Sequence, residues 1–379
     1  MSEHQESRAQ KILGYVCITL IAFGIMGVYA MLAFNLKVFS PISKAIGDYS
    51  YEDFYYQILG SSEEKDTSNL VTIVDMTELT SRRDLANLLM EIESLHPKVM
   101  GIDIVFEGLK EDTIGDQMLV QVSKECHSAV FAYKVIDRTD GAIHSFFMTD
   151  SIQEAYINMP RQLYGGLKRS LSVGRVHQGK LYPSFVKVVA EKYAGMEIVP
   201  LEDKNLRINF SPLHFNVIPY KDVILHKELI EDRIVLVGAM KEEGDMHYTP
   251  LGKMAGTELL GFGVETMLKH NNVKIAPTWL VVIVSFLVTL TIVIVRISYL
   301  KFTKRLHPIL KSIMSTALFL GLLVFIVVAF IVWISFILFC EYNFSLNVGY
   351  GIVASAFIYA ATNLYETIKD SIIKKNKEL

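Results

Sequence analysis

Long runs of apolar residues flank one large polar block along this chain of 379 residues. A helix needs about 20 mostly apolar residues to cross the roughly 30 Å of hydrocarbon in a bilayer. Four runs approach or exceed that length, and we expect transmembrane helices at residues 12–34, 276–296, 313–340 and 344–363. The polar block at residues 35–275 is predicted to fold as a domain outside the bilayer.

Two other structures fit parts of this pattern. Val28-Tyr29-Ala30 resembles a small-residue cleavage site, which would make the first run a removable signal peptide, although the run continues past that site. The last two runs could form core helices of a soluble domain, but their length favours the membrane.

Lys and Arg residues determine the expected orientation, because they accumulate on the cytosolic side of membrane proteins. Among the segments that flank the apolar runs, Lys and Arg occur in residues 1–11, 297–312 and 364–379. Four crossings would put these three segments on one side, as a cytosolic N-terminus, a basic cytosolic loop and a cytosolic tail. Residues 41–275 carry 25 Lys and Arg against 34 Asp and Glu, a net charge of −9, whereas the remainder carries 12 against 6, a net charge of +6.

Within the outer block, β-branched apolar runs alternate with helical patterns. Residues 70–75 and 98–106 are typical of buried strands, and an amphipathic helix is predicted between Ser81 and Pro97. This succession predicts a βαβ unit with parallel strands. Residues 233–238 form a third buried strand. The predicted fold is therefore an α/β extracytoplasmic domain with a mainly parallel central sheet flanked by helices.

The pattern is weaker in the rest of the block. It indicates helices near residues 112–125, 183–193 and 259–268, and strands near residues 129–135, 143–148 and 206–210. Residues 150–180 give no clear prediction.

Three stretches resemble one protein family in their order and spacing. They are Val71–Asp75 with its following helix, Val99–Phe106, and Ile234–Ala239 followed by Gly244-Asp245, Thr249-Pro250-Leu251 and Gly256-Thr257-Glu258. Together they resemble the extracellular sensory domains of the CHASE group, second type, which occur beside bacterial cyclases and histidine kinases. The resemblance covers about residues 40–270, and three trailing membrane helices are usual in that family.

The resemblance implies a bacterial inner-membrane sensor or adaptor with a periplasmic domain. Members normally continue into a cytosolic cyclase, kinase or diguanylate cyclase, whereas only a short tail follows the last apolar run here. We therefore expect signalling through the membrane helices to a separately encoded membrane or cytosolic effector, and a homo-oligomer also fits. Two alternatives remain: a structural subunit that scaffolds an envelope complex, and a metal-dependent periplasmic enzyme.

Candidate ligand-binding residues follow from the parallel sheet, because ligands bind beyond the carboxyl ends of its strands. Asp75 and Asp103 lie late in two strands, and Asp245 follows a third. If these strands are neighbours, the carboxylates could hold a cation such as Ca²⁺ or Mg²⁺. Arg82 and Arg83 at a helix start could instead receive an anion. Purely structural roles in turns and ion pairs explain the same residues.

Two further groups of residues are candidates for specific contacts. Thr249 and Glu258 complete the predicted ligand-binding set, although loop shaping and a solvated helix start are alternatives for them. In the last apolar run, small residues at helical spacing are predicted to pack closely in the bundle or against a partner's helix: Gly351, Ser355, Ala356 and Ala360.

Other functions find no support in the chain. It contains no Gly-x-Ser-x-Gly elbow, P-loop or His-Glu-x-x-His motif, so we predict no enzymatic activity, no catalytic residue and no cofactor. No Cys and His spacing suggests a zinc site, and an acidic outer domain argues against nucleic acid. Cys126 is the only cysteine of the outer block, so its stability must come from a hydrophobic core.

Overall fold

The chain divides into two compact units. The computed structural model describes residues 7–35, 50–60, 66–136, 141–160 and 166–378. One unit is Glu52–Val273, and the other combines Met1–Tyr51 with Lys274–Leu379. The first unit contains nearly all of the predicted outer block, and the second contains the apolar runs.

A mostly parallel sheet forms the centre of the Glu52–Val273 unit. The strands of this unit are β1 (Asp66–Asp75), β2 (Val99–Ile102), β3 (Ala129–Ile136), β4 (Gly141–Ile143), β5 (Glu154–Tyr156), β6 (Ser170–Ser172), β7 (Gly174–His177), β8 (Lys180–Pro183), β9 (Asn205–Arg207), β10 (Leu213–Pro219), β11 (Ile234–Gly238), β12 (Met246–Thr249) and β13 (Gly252–Ala255). The central sheet has the order β10-β1-β11-β2-β3-β4, with β5 also paired to β3. Every pair in it is parallel except β3–β4. The remaining strands form the two-stranded ribbons β6–β9, β7–β8 and β12–β13.

Helices cover both faces of this sheet. The described helices are α1 (Arg8–Asn35), α2 (Tyr51–Gly60), α3 (Arg82–Ser94), α4 (Thr113–Glu125), α5 (Phe185–Ala194), α6 (Gly256–Leu268), α7 (Thr278–Thr303), α8 (Pro308–Met314), α9 (Ala317–Tyr342), α10 (Gly349–Ser355) and α11 (Ile358–Glu378). On one face, Leu89 and Ile92 of α3 and Leu119 of α4 are fully buried in a cluster with strand side chains. On the other, α5 contacts β2, β3 and β5, and α6 contacts β1 and β11. The predicted α/β class with a mainly parallel sheet is confirmed.

The sequence does not predict the strand order, and two strands are shorter than predicted. The strand expected over residues 98–106 ends at Ile102. β11 lies between β1 and β2, so the predicted βαβ unit joins strands that are parallel but not adjacent. The strand predicted at residues 143–148 is wrong beyond Ile143, because the Met148 N–H donates to the Ser145 carbonyl in a turn (2.9 Å). That turn directs Phe147 into the core beside Phe131, at 5.1 Å between ring centroids.

The second unit contains three helices that are long and apolar enough to cross a membrane. They are Arg8–Leu32, Thr278–Thr303 and Leu318–Tyr342 among the residues that the structure describes. These correspond to the first three predicted spans, and α7 continues beyond the predicted end at residue 296.

The fourth predicted span, residues 344–363, is not one continuous helix, so the predicted count of four is not confirmed. Residues Phe344–Ser345 form a strand, β15, that pairs with β14 (Lys274–Ile275). The Asn347 carboxamide then accepts a hydrogen bond from the Gly349 N–H (2.9 Å), where α10 begins. The helix is interrupted after Ser355 and resumes at Ile358 as α11. Hydrophobicity alone could not reveal this interruption, because the residues around it are apolar or small.

Contacts along the interrupted helix show its direction relative to α1. Its beginning is fixed by the β14–β15 pairing next to the start of α7. Farther along, Phe357 stacks on Tyr29 near the end of α1, with 5.3 Å between ring centroids. Tyr365 lies against Gly14 near the start of α1, where a Cβ on the glycine would be 2.9 Å from the Tyr365 hydroxyl oxygen. The α10–α11 pair is therefore antiparallel to α1.

The predicted small-residue stripe divides between buried and exposed positions. Gly351 is buried against α7, and the Thr289 hydroxyl donates to its carbonyl (3.3 Å). Ser355 is half-buried, and its hydroxyl donates to the Ile352 carbonyl (2.6 Å). Ala356 and Ala360 are exposed on this unit. The close helix contact is therefore concentrated at Gly351.

We predict that Gly351→Ala destabilises the helical unit. The added Cβ would lie 2.9 Å from the Ser285 carbonyl oxygen, and the backbone cannot give way cheaply. Overpacking of this kind typically costs about 1–3 kcal/mol. Thermal unfolding of the full chain in detergent measures the loss. Gly321→Ala is the matched control, because nothing lies within 4 Å of a Cβ at that position. Equal melting temperatures for the two variants would contradict the packing described here.

Candidate functional site

The carboxyl ends of three adjacent strands meet at one edge of the central sheet. Asp75 at the end of β1 is in register with Gly238 at the end of β11. Asp103 follows β2, and its N–H donates to the Val237 carbonyl (2.9 Å). Asp75 and Asp103 therefore flank the end of β11, as expected for a parallel sheet.

Asp75 ties two loops together. Its Oδ1 atom accepts hydrogen bonds from the backbone N–H groups of Thr77 (2.9 Å) and Met240 (3.2 Å). The Thr77 hydroxyl oxygen in turn accepts from the N–H groups of Met240 (2.9 Å) and Lys241 (3.1 Å). The carboxylate thus fixes the turn after β1 to the loop after β11.

Asp103 instead contacts the beginning of helix α6. Its Oδ2 atom accepts a hydrogen bond from the Thr257 hydroxyl (2.7 Å). A Cβ on Gly238 would collide with the Thr257 side chain, so β11 must end in glycine for α6 to approach this closely. The contact between α6 and the sheet therefore requires glycine at position 238.

Asp245 lies against the same end of α6. A Cβ on Gly256 would collide with its carboxylate, which occupies the space beside the first turn of the helix. Negative charge at this position is favoured by the helix dipole. The His247 ring lies beside it, with 3.6 Å between Nε2 and Oδ1 of Asp245.

Asp103, Asp245 and His247 line one cleft of about 550 Å³. Its walls come from the ends of β1, β2, β3, β5 and β11, from the segment between β11 and His247, and from the start of α6. The residues that line it are Met76, Asp103, Ile104, Val105, Lys134, Ile157, Asn158, Met159, Ala239, Glu242, Gly244, Asp245, His247, Gly256 and Leu260. The structure thus brings Asp103 and Asp245 together, while Asp75 lies outside the lining.

The cleft changes the acidity of Asp103. Burial raises the pKa of its carboxyl from 3.8 to about 7, and the neighbouring charge of Asp245 acts in the same direction. The hydrogen bond from Thr257 and the positive groups of Lys134 and His247 oppose this rise. Asp103 therefore exchanges a proton near neutral pH.

Arg82 and Arg83 are engaged in ion pairs outside the cleft. Arg83 binds both carboxylate oxygens of Asp112 (2.6–2.8 Å), and this contact lowers the pKa of that acid. Arg82 pairs with Asp116 and lies over the Phe146 ring, 4.9 Å from its centroid. Both arginines therefore connect the start of α3 to the start of α4.

Thr249 and Glu258 also lie outside the lining of the cleft. The Thr249 hydroxyl donates to the Gly252 carbonyl (2.9 Å) and accepts from the Leu251 N–H (3.2 Å), which closes the β12–β13 turn. Glu258 is half-buried in the first turn of α6.

Sequence reasoning did not identify two residues that shape this site. Lys134 is the exposed position in an otherwise buried β3, and a lysine inside an apolar strand is a recognisable signal. Thr257 gave no signal of its own, because its role depends on how closely α6 approaches Asp103. Among the described residues, no group of three or more His, Cys, Asp or Glu side chains is arranged to hold a metal ion.

Comparison with known proteins identifies the family. The model of the CHASE2 domain matches residues 24–296. The chain belongs to the CHASE2 domain family. No curated protein matches the chain, and no solved structure does. The resemblance seen in the strand motifs is thereby confirmed, and the cleft belongs to an extracellular sensory domain of the CHASE2 type on a chain with apolar, membrane-compatible helices.

We predict that Asp103 makes the stability of the CHASE2 domain depend on pH. With its pKa raised to about 7, the folded state holds a proton that the unfolded state releases above about pH 4. Its contribution to the free energy of unfolding is thus largest at low pH and falls as pH rises towards 7, by up to about 1.4 kcal/mol per pH unit.

Urea unfolding of the full chain and of Asp103→Asn, at about pH 4.5 and about pH 7.5, measures this contribution. The variant should gain stability relative to the native chain as the pH rises. A constant difference between the two proteins would contradict the pKa assigned to Asp103.

Proposed function

We propose that the chain is a membrane-anchored sensor whose CHASE2 domain detects a cue outside the cytosol and signals to a separate effector. The observation that carries this proposal is the position of helix α6. One end of α6 forms a wall of the cleft, and the chain leaves the domain shortly after the other end.

Polar contacts hold α6 at both ends. At its start, Thr257 bonds to Asp103 in the cleft. At its end, the Thr266 hydroxyl accepts from the Asn209 N–H (3.0 Å), and Glu265 accepts from the Ser68 hydroxyl. A helix of 13 residues is about 20 Å long. A change at the cleft can therefore reach the far side of the domain through one rigid element.

The far end of α6 lies next to the β6–β9 ribbon, which also holds the segment where the chain enters the domain. Arg169, just before β6, forms a bidentate pair with Asp53 of α2 (2.6 and 2.8 Å). Arg207 at the end of β9 pairs with Glu52. All four side chains are buried or half-buried, which makes the breaking of either pair costly.

The segment where the chain leaves the domain is bound to the same ribbon. The Val273 N–H donates to the Arg207 carbonyl (3.3 Å), and the Asn209 side chain donates to the Asn271 carbonyl (3.0 Å). The chain then continues into β14 and α7. Both covalent connections of the CHASE2 domain are thus attached to one ribbon, and a shift of α6 against it would act on both.

The arrangement of the helical unit supports an outer domain with both termini in the cytosol. The Lys301 ammonium near the end of α7 lies 3.3 Å from the Tyr15 hydroxyl near the start of α1. Tyr365 of α11 lies at the same end, against Gly14. Basic residues before α1, after α7 and late in α11 therefore share one end of the bundle, which the positive-inside rule assigns to the cytosol. The interrupted α10–α11 pair would make the fourth crossing.

We predict that Thr257→Val alters the β6–β9 ribbon from a distance. The substitution keeps the volume of the side chain and removes the hydrogen bond to Asp103. Hydrogen exchange of the full chain in lipid nanodiscs should become faster at residues 205–210 and 271–273 as well as at the cleft. Thr149→Val is the matched control, because Thr149 is exposed and outside the lining. A change confined to the cleft would contradict the proposed relay.

The effector has its own test. After extraction in a mild detergent, the chain should co-purify with a second membrane or cytosolic protein, and deleting residues 364–378 should release it if the tail contributes to binding. Recovery of the native chain alone under these conditions would favour a self-contained structural subunit over a sensor.

A further inference from the structure

The charges that line the cleft are unbalanced. Asp103, Glu242 and Asp245 supply three carboxylates, whereas Lys134 supplies one permanent positive charge and His247 a titratable one. No ion pair within 4 Å joins Lys134 to either aspartate in the described part of the chain. The cleft therefore presents a net negative surface to whatever enters it.

The two aspartates also retain free capacity to accept hydrogen bonds. Within the described residues, the Asp103 carboxylate accepts one side-chain hydrogen bond, from Thr257. The imidazole Nε2 of His247 lies 3.6 Å from Asp245 Oδ1, beyond hydrogen-bond distance. An ionised carboxylate can accept about four hydrogen bonds. A donor with positive charge would satisfy both groups and relieve their mutual repulsion.

The remaining walls of the cleft are largely apolar. Besides Asn158, Gly244 and Gly256, they are formed by Met76, Ile104, Val105, Ile157, Met159, Ala239 and Leu260. A volume of about 550 Å³ falls in the range of small-molecule sites. A bare metal ion suits these walls poorly, and the described residues offer no cluster of three metal ligands. The walls fit an organic ligand with an apolar body.

We infer that the cleft binds a small organic cation, an amine whose protonated nitrogen lies between Asp103 and Asp245. Its apolar body would lie against Ile104, Ile157 and Leu260. The inference rests on the proposed function only in that this amine would be the cue. Because the ammonium group would bind to the same carboxylate as the Thr257 hydroxyl, its binding acts directly on the start of α6.

Calorimetric titration of the full chain in detergent tests the inference. The probes are isoamylamine, phenethylamine and putrescine, at about pH 8, which is above the pKa of about 7 at Asp103. Isoamyl alcohol and isovalerate are the controls, because they have the carbon skeleton of isoamylamine without its positive charge. We expect at least one of the amines to bind, and neither the alcohol nor the acid.

Variants identify the site. Asp103→Asn and Asp245→Asn should each weaken amine binding by about tenfold or more. Asp103→Asn removes a charge that is unfavourable at this pH, so it should stay folded, which its melting temperature checks. Asp150→Asn is the matched control, because Asp150 is exposed and outside the lining.

Three results would overturn the inference: no binding by any of the amines, equal binding of the alcohol or the acid, or unchanged amine affinity in both aspartate variants. These results are separable from the proposed function. If no amine binds but Thr257→Val still speeds hydrogen exchange at residues 205–210 and 271–273, the amine is excluded as the ligand and the proposed function stands. If an amine binds but Thr257→Val changes exchange only at the cleft, the cleft is a ligand site without the proposed signalling.

Discussion

The close approach of helix α6 to the ends of β11 and β2 is the constraint on which the site depends. Glycine at residues 238 and 256 leaves room for the Thr257 and Asp245 side chains, and any Cβ there would collide with them. This approach creates the hydrogen bond between Thr257 and Asp103. It also encloses the Asp103 carboxyl enough to raise its pKa to about 7. One packing contact therefore sets both the shape and the charge of the cleft.

The same helix connects the cleft to the opposite side of the domain. Its far end is bonded through Thr266 and Glu265 to the base of the sheet, where buried pairs of Asp53 with Arg169 and Glu52 with Arg207 hold α2. Buried ion pairs contribute little net stability, but losing one partner is expensive. Such pairs favour a rigid attachment of α2 at the base of the sheet.

Features of the fold that depend on residues close together in the sequence could be predicted, whereas features that depend on contacts between distant segments could not. β-branched runs and helical spacing were enough for the α/β class, because burial on both faces of a parallel sheet leaves a local signature. The insertion of β11 between β1 and β2 was not predictable, since strand order depends on contacts between distant segments. The turn at residues 145–148 overrode a strand-like pattern because Phe147 packs with Phe106 and Phe131 in the core.

The site and the membrane helices likewise combine features that the sequence predicts with features that it does not. The rule that strand ends meet at one edge predicts that Asp103 and Asp245 lie close together, and both line the cleft. A turn role for Asp75 is one of the alternatives that the sequence offers, whereas the partners of Arg82 and Arg83 depend on contacts between distant segments. Hydropathy identified three spans but not the interruption between Ser355 and Ile358, which alters backbone geometry without altering polarity.

The central claim is that the sensory domain lies outside the cytosol and that the basic end of the helices lies inside it. Labelling of single cysteines in intact spheroplasts tests this claim most directly. Leu109→Cys and Lys304→Cys both introduce a thiol at an exposed position, in a chain whose three native cysteines are replaced by alanine. A maleimide that cannot cross the membrane should label residue 109 in intact spheroplasts and residue 304 only after lysis. Protection of residue 109, or labelling of residue 304 before lysis, would contradict the account.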